Sequence, residues 1–269
     1  MRARNIRTAW LAAAAIVTTL LPLGLRAQSA TTASPSLDEI VTRMEQARSK
    51  TKASVAFQLT REYKMFHGDE AKPASQVKAE INFLPPHERD YKILEAKGND
   101  RGEKVVRKIL DHESEAEKSE VPPTAIVRQN YNFQLIGEES FQGTRCYVLN
   151  LDPKHKDPAL IEGRAWVDAN TFLIRKVEGR MSKSPSWWVK GVQLTVLFGE
   201  INGIWTQLST QAIADVKVIG RYTVDSRATS LQTAESLAAN VRPKKVLPRA
   251  RRSGVPAEVV YNTGVLVAR

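Results

Sequence analysis

Four histidines, one cysteine and a Ser-x-x-Lys spacing are the residues of this 269-residue chain whose types could make or break bonds. His67, His87, His112 and His155 are scattered, each beside charged or turn-forming residues. A helical zinc hydrolase needs two histidines four apart around a glutamate, and His112-Glu113 has no second histidine. All four are therefore expected as solvated surface side chains, with no metal between them. Cys146 opens an alternating apolar run and is expected as a buried strand thiol; a nucleophilic role would need a histidine beside it in space. Ser49 and Lys52 match the Ser-x-x-Lys spacing by a coincidence this composition makes common. Glu138-Glu139 adjoin a turn and are expected to face solvent. The chain has no Gly-x-Ser-x-Gly elbow, no Walker Gly-Lys-Ser/Thr loop and no Gly-x-Gly-x-x-Gly. These residues point away from an enzyme, and no cofactor is called for.

The aromatic residues are left as candidates. Trp166, Trp187, Trp188, Trp205, Phe198 and Phe83 lie in or beside strand patterns. Tryptophan in a sheet commonly fills a core. Alternatively, a curved sheet with only two helices to cover its apolar face leaves a groove for an acyl chain or an apolar peptide segment, with about 0.8 kcal/mol gained per buried CH2. Sequence leaves both open.

The elements that must position these residues are legible from periodicity. Ser36 can cap a helix, with Glu39 three residues on as a capping box, and Leu37, Ile40, Val41, Met44 and Ala47 form one apolar stripe that ends near Lys50. The period then changes to two. In Val55–Tyr63 every second residue is apolar until Arg61, and Val77, Ala79, Ile81 and Phe83 alternate with polar neighbours. Tyr91 and Ile93 begin a third strand. A second helix is expected over 103–117, with Val105, Val106, Ile109 and Leu110 on one face. Strand patterns resume after Tyr131, with turns at Gln142-Gly143, Asp168–Thr171 and Asn202-Gly203; Asn-Gly favours the turn that matches strand twist. The body is one mainly β (α+β) domain of about nine to eleven antiparallel strands with two helices inserted.

The ends differ from the body. Arg2, Arg4 and Arg7 precede an apolar stretch that runs to about Leu25, and Ala27 supplies a cleavable small residue. About 16 apolar residues fall short of the roughly 20 that a spanning helix needs, so residues 1–27 are expected as a cleaved signal peptide and the protein in the periplasm. With its single cysteine at 146, the chain has no lipid-acceptor cysteine at the cleavage site. Residues 28–35 are expected as a flexible leader, 36–226 as the folded domain and 227–269 as a basic, mostly disordered tail, although Glu258–Ala268 is apolar enough for a last strand. The chain carries +11, but residues 1–27 hold +4 and residues 227–269 hold +6, so the body is near +1. A nearly neutral body argues against nucleic acid, and leaves peripheral membrane contact to the tail.

The order of these elements, with the runs Glu162–Asp168, Asn130–Phe133, Cys146–Leu149 and Ser184–Trp188, resembles the outer-membrane lipoprotein-sorting proteins, the superfamily of the periplasmic carrier LolA, in an uncharacterised exported branch. The likeness covers about Ser36 to Asp225. It implies an incomplete barrel, one strongly curved antiparallel sheet with helices over its apolar side. It also implies a role in holding a lipid or the acyl chains of a lipoprotein without covalent chemistry. Phe57, Leu59, Ile81, Phe83, Trp166 and Phe198 are the expected groove lining. Under the alternative, the same fold acts as an envelope sensor or protein-interaction domain, and its basic tail touches a membrane or a partner protein.

Overall fold

The computed structural model describes residues 34–51, 54–218 and 220–235. The chain enters through helix α1 (Leu37–Thr51), and Ser36 starts it as expected. The Ser36 hydroxyl accepts the Glu39 N–H at 3.2 Å, and the Ser36 carbonyl accepts the Ile40 N–H at 2.9 Å. The Glu39 carboxylate pairs with Arg43 one turn on. Ile40, Val41 and Met44 are buried, with Leu37 and Ala47 packed at the margins of the same stripe.

Ten strands follow in one antiparallel sheet. Strands β1 (Phe57–His67), β2 (Ser75–Leu84) and β3 (Glu88–Gly98) form a meander, and helix α2 (Asp100–Glu117) interrupts. Then come β4 (Tyr131–Phe141), β5 (Thr144–Pro153), β6 (Ile161–Asp168), β7 (Ile174–Met181), β8 (Val189–Ile201), β9 (Ile204–Val216) and β10 (Gly220–Thr233). The spatial order is β3-β2-β1-β10-β9-β8-β7-β6-β5-β4. The sheet does not close, so β3 and β4 are its edges.

Local chemistry explains the hairpins. Gln142-Gly143 and Asn202-Gly203 both hold two successive positive φ angles, 50° and 78° in the first and 50° and 80° in the second. That geometry belongs to the tight turn whose twist suits paired strands. The Asp168 carboxylate accepts the N–H groups of Asn170 and Thr171 at 2.9 and 3.0 Å, which shapes the third expected loop. Register shifts occur in five of the nine strand pairs (β1/β10, β2/β3, β4/β5, β6/β7 and β8/β9), and such bulges bend and twist a sheet instead of leaving it flat.

Two boundaries differ from expectation. Helix α2 begins at Asp100, not Glu103, because the Asn99 side chain caps it by accepting the Arg101 N–H at 2.7 Å. Its first turn then lies against the sheet through Gly102, where a Cβ would stand 2.3 Å from the Ser75 side chain. Strand β10 continues to Thr233, past the boundary expected at 226, because Ala228 and Leu231 pair opposite Arg61 and Leu59 on the buried side of β1. The expected signal peptide, most of the leader, and the tail from 236 onward with its run Glu258–Ala268 lie outside the described residues. Among the described residues, no helix is long and apolar enough to cross a membrane.

Both helices lie on one face of the sheet. Helix α1 packs on Tyr147 and Leu149 of β5 and Val167 of β6. Helix α2 sets Val106 and Leu110 on Leu59 and Tyr63 of β1 and on Val77, Ala79 and Ile81 of β2. Arg128, in the connection from α2 to β4, fastens α1 from outside: its guanidinium meets Glu45 at 2.9 Å and Asp38 at 2.8 Å.

Candidate functional site

The cross-strand register traces what lies between the two helices. One inward row runs Leu149, Ala165, Val177, Val196, Thr210, Ser226, Tyr63, Val77 from β5 round to β2. Its neighbour runs Leu151, Gly163, Gly179, Leu194, Ala212, Val224, Met65, Ser75. Both rows are buried at either end. In the middle they open: Val196 and Thr210 in the first, and Gly163 to Val224 in the second, are only half-buried. Every described residue of β9 is half-buried or exposed, whereas Cys146 to Leu149 of β5 are all buried.

This open stretch is a shallow apolar trough. Gly163 and Gly179 pair directly, and a Cβ on either would stand 2.1 Å or 2.3 Å from a carbonyl oxygen of the neighbouring strand. Glycine is therefore required at both positions, and the trough floor is low there. Leu194, Val196 and Val224 supply the apolar walls. Strands β6 to β10 span about 19 Å at the usual inter-strand spacing.

A buried charge stands at the α2 side of the trough. Arg61 breaks the apolar alternation of β1 yet keeps its inward position, and only 3% of it is exposed. One guanidinium nitrogen donates to the Gln207 carbonyl at 3.3 Å, near where the β9–β10 pairing ends at Ser209 and Arg227. The other lies 3.5 Å from Glu113 of α2, which Arg89 also meets at 2.5 Å. Tyr63 lies beside them, its side chain buried against Arg61. Burial first, and then the Glu113 charge, push its pKa up to about 12.

The expected lining divides into three groups. Phe57, Leu59 and Ile81 belong to the cluster beneath α2, and Phe83, itself buried, stacks on the Phe57 ring at 5.1 Å, so these residues form packed core and not an open surface. Phe198 is half-buried beside Val196 and packs on the cluster of Tyr131, Leu151 and Val177, at the trough's β7 side. Trp166 lies on the opposite face. Ala165 and Val167 point inward, so strand parity sends Trp166 outward onto Cys146 and Val148. There its indole N–H donates to Glu139 at 2.8 Å, and Lys176 sits over the ring at 4.3 Å.

Sequence reasoning did not single out Leu194, Ala212 or Val224, which depend on register across three strands. Arg61 did leave a signal, as the residue at which alternation broke. The residues considered for chemistry stay apart. Cys146 is wholly buried, its thiol donates to the Thr144 carbonyl at 3.5 Å, and burial, aided by the Asp168 charge, raises its pKa. Among the described residues, no group of histidine, cysteine and carboxylate side chains could hold a metal ion. On the outer face, Glu162, Arg164, Glu178 and Arg180 line a hollow whose charges suit solvent and not an acyl chain.

An open, bulged antiparallel sheet with two helices on one face thus defines the class of fold. A family model described as an uncharacterized protein matches residues 124–229. Among solved structures, the chain is similar to a DUF1329 family protein from Desulfovibrio piger at 15% identity, covering 72% of this chain and 90% of that one with a TM-score of 0.36. It is similar to a LolA superfamily protein from Nitrosomonas europaea at 13% identity, covering 71% and 92% with a TM-score of 0.36. It is also similar to an outer membrane lipoprotein-sorting protein domain from Vibrio parahaemolyticus at 12% identity, covering 74% and 94% with a TM-score of 0.37. No curated protein matches the chain.

Proposed function

We propose that this protein is an exported carrier or binding protein that holds a lipid, or the acyl chain of a lipoprotein, in the trough between α1 and α2. The observation that carries the reading is the pair of inward rows that are buried at both ends and half-open through Leu194, Val196, Ala212 and Val224. An acyl chain laid across them gains about 0.8 kcal/mol for each CH2 removed from water, and reversible burial requires no nucleophile or metal. The apolar, Arg-led stretch at residues 1–27 supports export to the periplasm.

Mass spectrometry of lipid that co-purifies with the exported protein tests the reading. Leu194→Asp places a charge in the trough and Ala212→Trp fills it; each is expected to strip the bound lipid while secretion continues. These positions serve better than Phe83, which is buried against Phe57 and where a charge would break the core. Lipid retained at full occupancy in both variants would overturn the proposal. Amino-terminal sequencing checks export: the recovered protein is expected to begin at Gln28.

A further inference from the structure

Trp187 is 83% exposed, Trp188 45%, and Val218 wholly exposed. Such large apolar side chains in water normally mark a contact surface, and here they gather at one end of the sheet. The Lys217 N–H donates to the Trp188 carbonyl at 2.7 Å, which joins the β7–β8 and β9–β10 connections, and Lys217 also lies 5.7 Å from the centre of the Trp187 ring. The β5–β6 connection abuts them, because the Ser182 N–H donates to the Leu160 carbonyl at 2.8 Å and the Ser182 hydroxyl donates to the Asp157 carbonyl at 2.8 Å.

The exposed charge around this rim that lacks an ion-pair partner among the described residues is positive. Lys183, Lys190 and Lys217 are exposed and have no carboxylate partner among the described residues. The acids at this end are engaged elsewhere: Asp157 accepts the Ala159 N–H at 2.7 Å, Asp215 pairs with Arg221 at 3.4 Å, and Glu162 pairs with Lys156 and Arg180 at 3.2 and 3.0 Å. The β1–β2 connection carries mixed charge, with Asp69, Glu70 and Lys72. The rim also adjoins the trough. Along β8 and β9, the pair Leu194–Ala212 is followed by Val192–Ala214 and then by Val189–Val216, directly beneath Trp188 and Lys217.

We infer that Trp187, Trp188 and Val218, flanked by Lys183, Lys190 and Lys217, dock this end of the sheet onto an anionic lipid bilayer. Tryptophan favours the headgroup level because its body is apolar and its N–H polar, and each lysine near an anionic surface adds attraction. This surface is built from residues outside 227–269, and it requires no ligand in the trough.

The test uses the exported protein from Gln28 to Arg269 and unilamellar vesicles of phosphatidylcholine containing phosphatidylglycerol. Trp187→Ser with Trp188→Ser is expected to weaken vesicle binding roughly tenfold or more. Reversal of one rim lysine, such as Lys217→Glu, is expected to weaken it about fivefold and to flatten its salt dependence. Chain-brominated lipid should quench tryptophan fluorescence, and the conservative pair Trp187→Phe with Trp188→Phe should remove that quenching while binding persists. This last variant keeps the test decisive if the serine pair misfolds. Unchanged vesicle affinity in a folded serine variant, or quenching unaltered by the phenylalanine pair, overturns the proposal, as does rim protection by a partner protein but not by vesicles. Failure of lipid to co-purify bears on the trough alone.

Discussion

The two ends of the sheet are covered by the same device, a helix laid on strands, but they are fastened in opposite ways. Under α1 the buried contact is apolar, with Ile40, Val41 and Met44 on Tyr147, Leu149 and Val167, and the charges lie at its margin, in the Arg128 clamp and in Arg43 over the Phe172 ring at 5.0 Å. Under α2 an apolar contact through Val106 and Leu110 is joined from within by Arg61, Arg89 and Glu113. Two guanidinium groups share one carboxylate beneath that helix. The difference teaches that the charges on α1 can be lost without burying an unpaired ion, whereas α2 is held partly by a term whose loss strands charge in a buried place. The half-open trough lies between a permanent wall and a conditional one.

The largest expected effect falls on the conditional wall. Glu113→Ala leaves Arg61 and Arg89 without their shared carboxylate and is expected to cost about 3–5 kcal/mol in urea unfolding. A loss below about 1 kcal/mol would erase the distinction between the two ends. Alkali should act on the same end. The Tyr63 pKa stands near 12 in the fold against 10 when unfolded, so its contribution is fully present below pH 10 and is lost as pH rises toward 12. The expected fall is about 2–3 kcal/mol across that window, and Tyr63→Phe should flatten it in melts recorded from pH 9 to 12.

Effects at α1 should be smaller. Ser36→Ala removes the cap and is expected to cost about 1 kcal/mol by thermal unfolding, with no change in pH dependence. Arg128→Ala breaks exposed ion pairs and should cost about 1 kcal/mol or less, shrinking further in high salt. A salt-independent loss of several kcal/mol at Arg128 would make the two ends alike.

Much of the fold was legible because its signals are local. The Ser36 cap, the apolar stripe of α1, the two-residue alternation of β1 and β2 and the Asn202-Gly203 turn each depend on a few adjacent residues, and each stands where expected. The site was less legible because it is assembled across strands. Leu194, Ala212 and Val224 become neighbours only through the register of β8, β9 and β10, which no single segment encodes. Trp166 shows the cost of parity, since one residue decides which face a strand side chain joins. Arg61 lay in plain sight as a polar residue at an apolar position, but its meaning required Glu113 from a helix 52 residues further along the chain.

The pairing of β1 with β10 has a consequence for how the molecule assembles. Every other strand pair joins neighbours in sequence, so β1–β3 and β4–β10 can each zip by successive hairpins. The β1–β10 seam instead brings Phe57 beside Thr233, 176 residues later, at a loop-closure cost of about 4–5 kcal/mol. Contacts of such long range are rewarded only after the chain has collapsed, so the seam is expected to form last and govern the folding rate. Two zippered halves then meet along a single joint, and that joint completes the floor on which α2 rests.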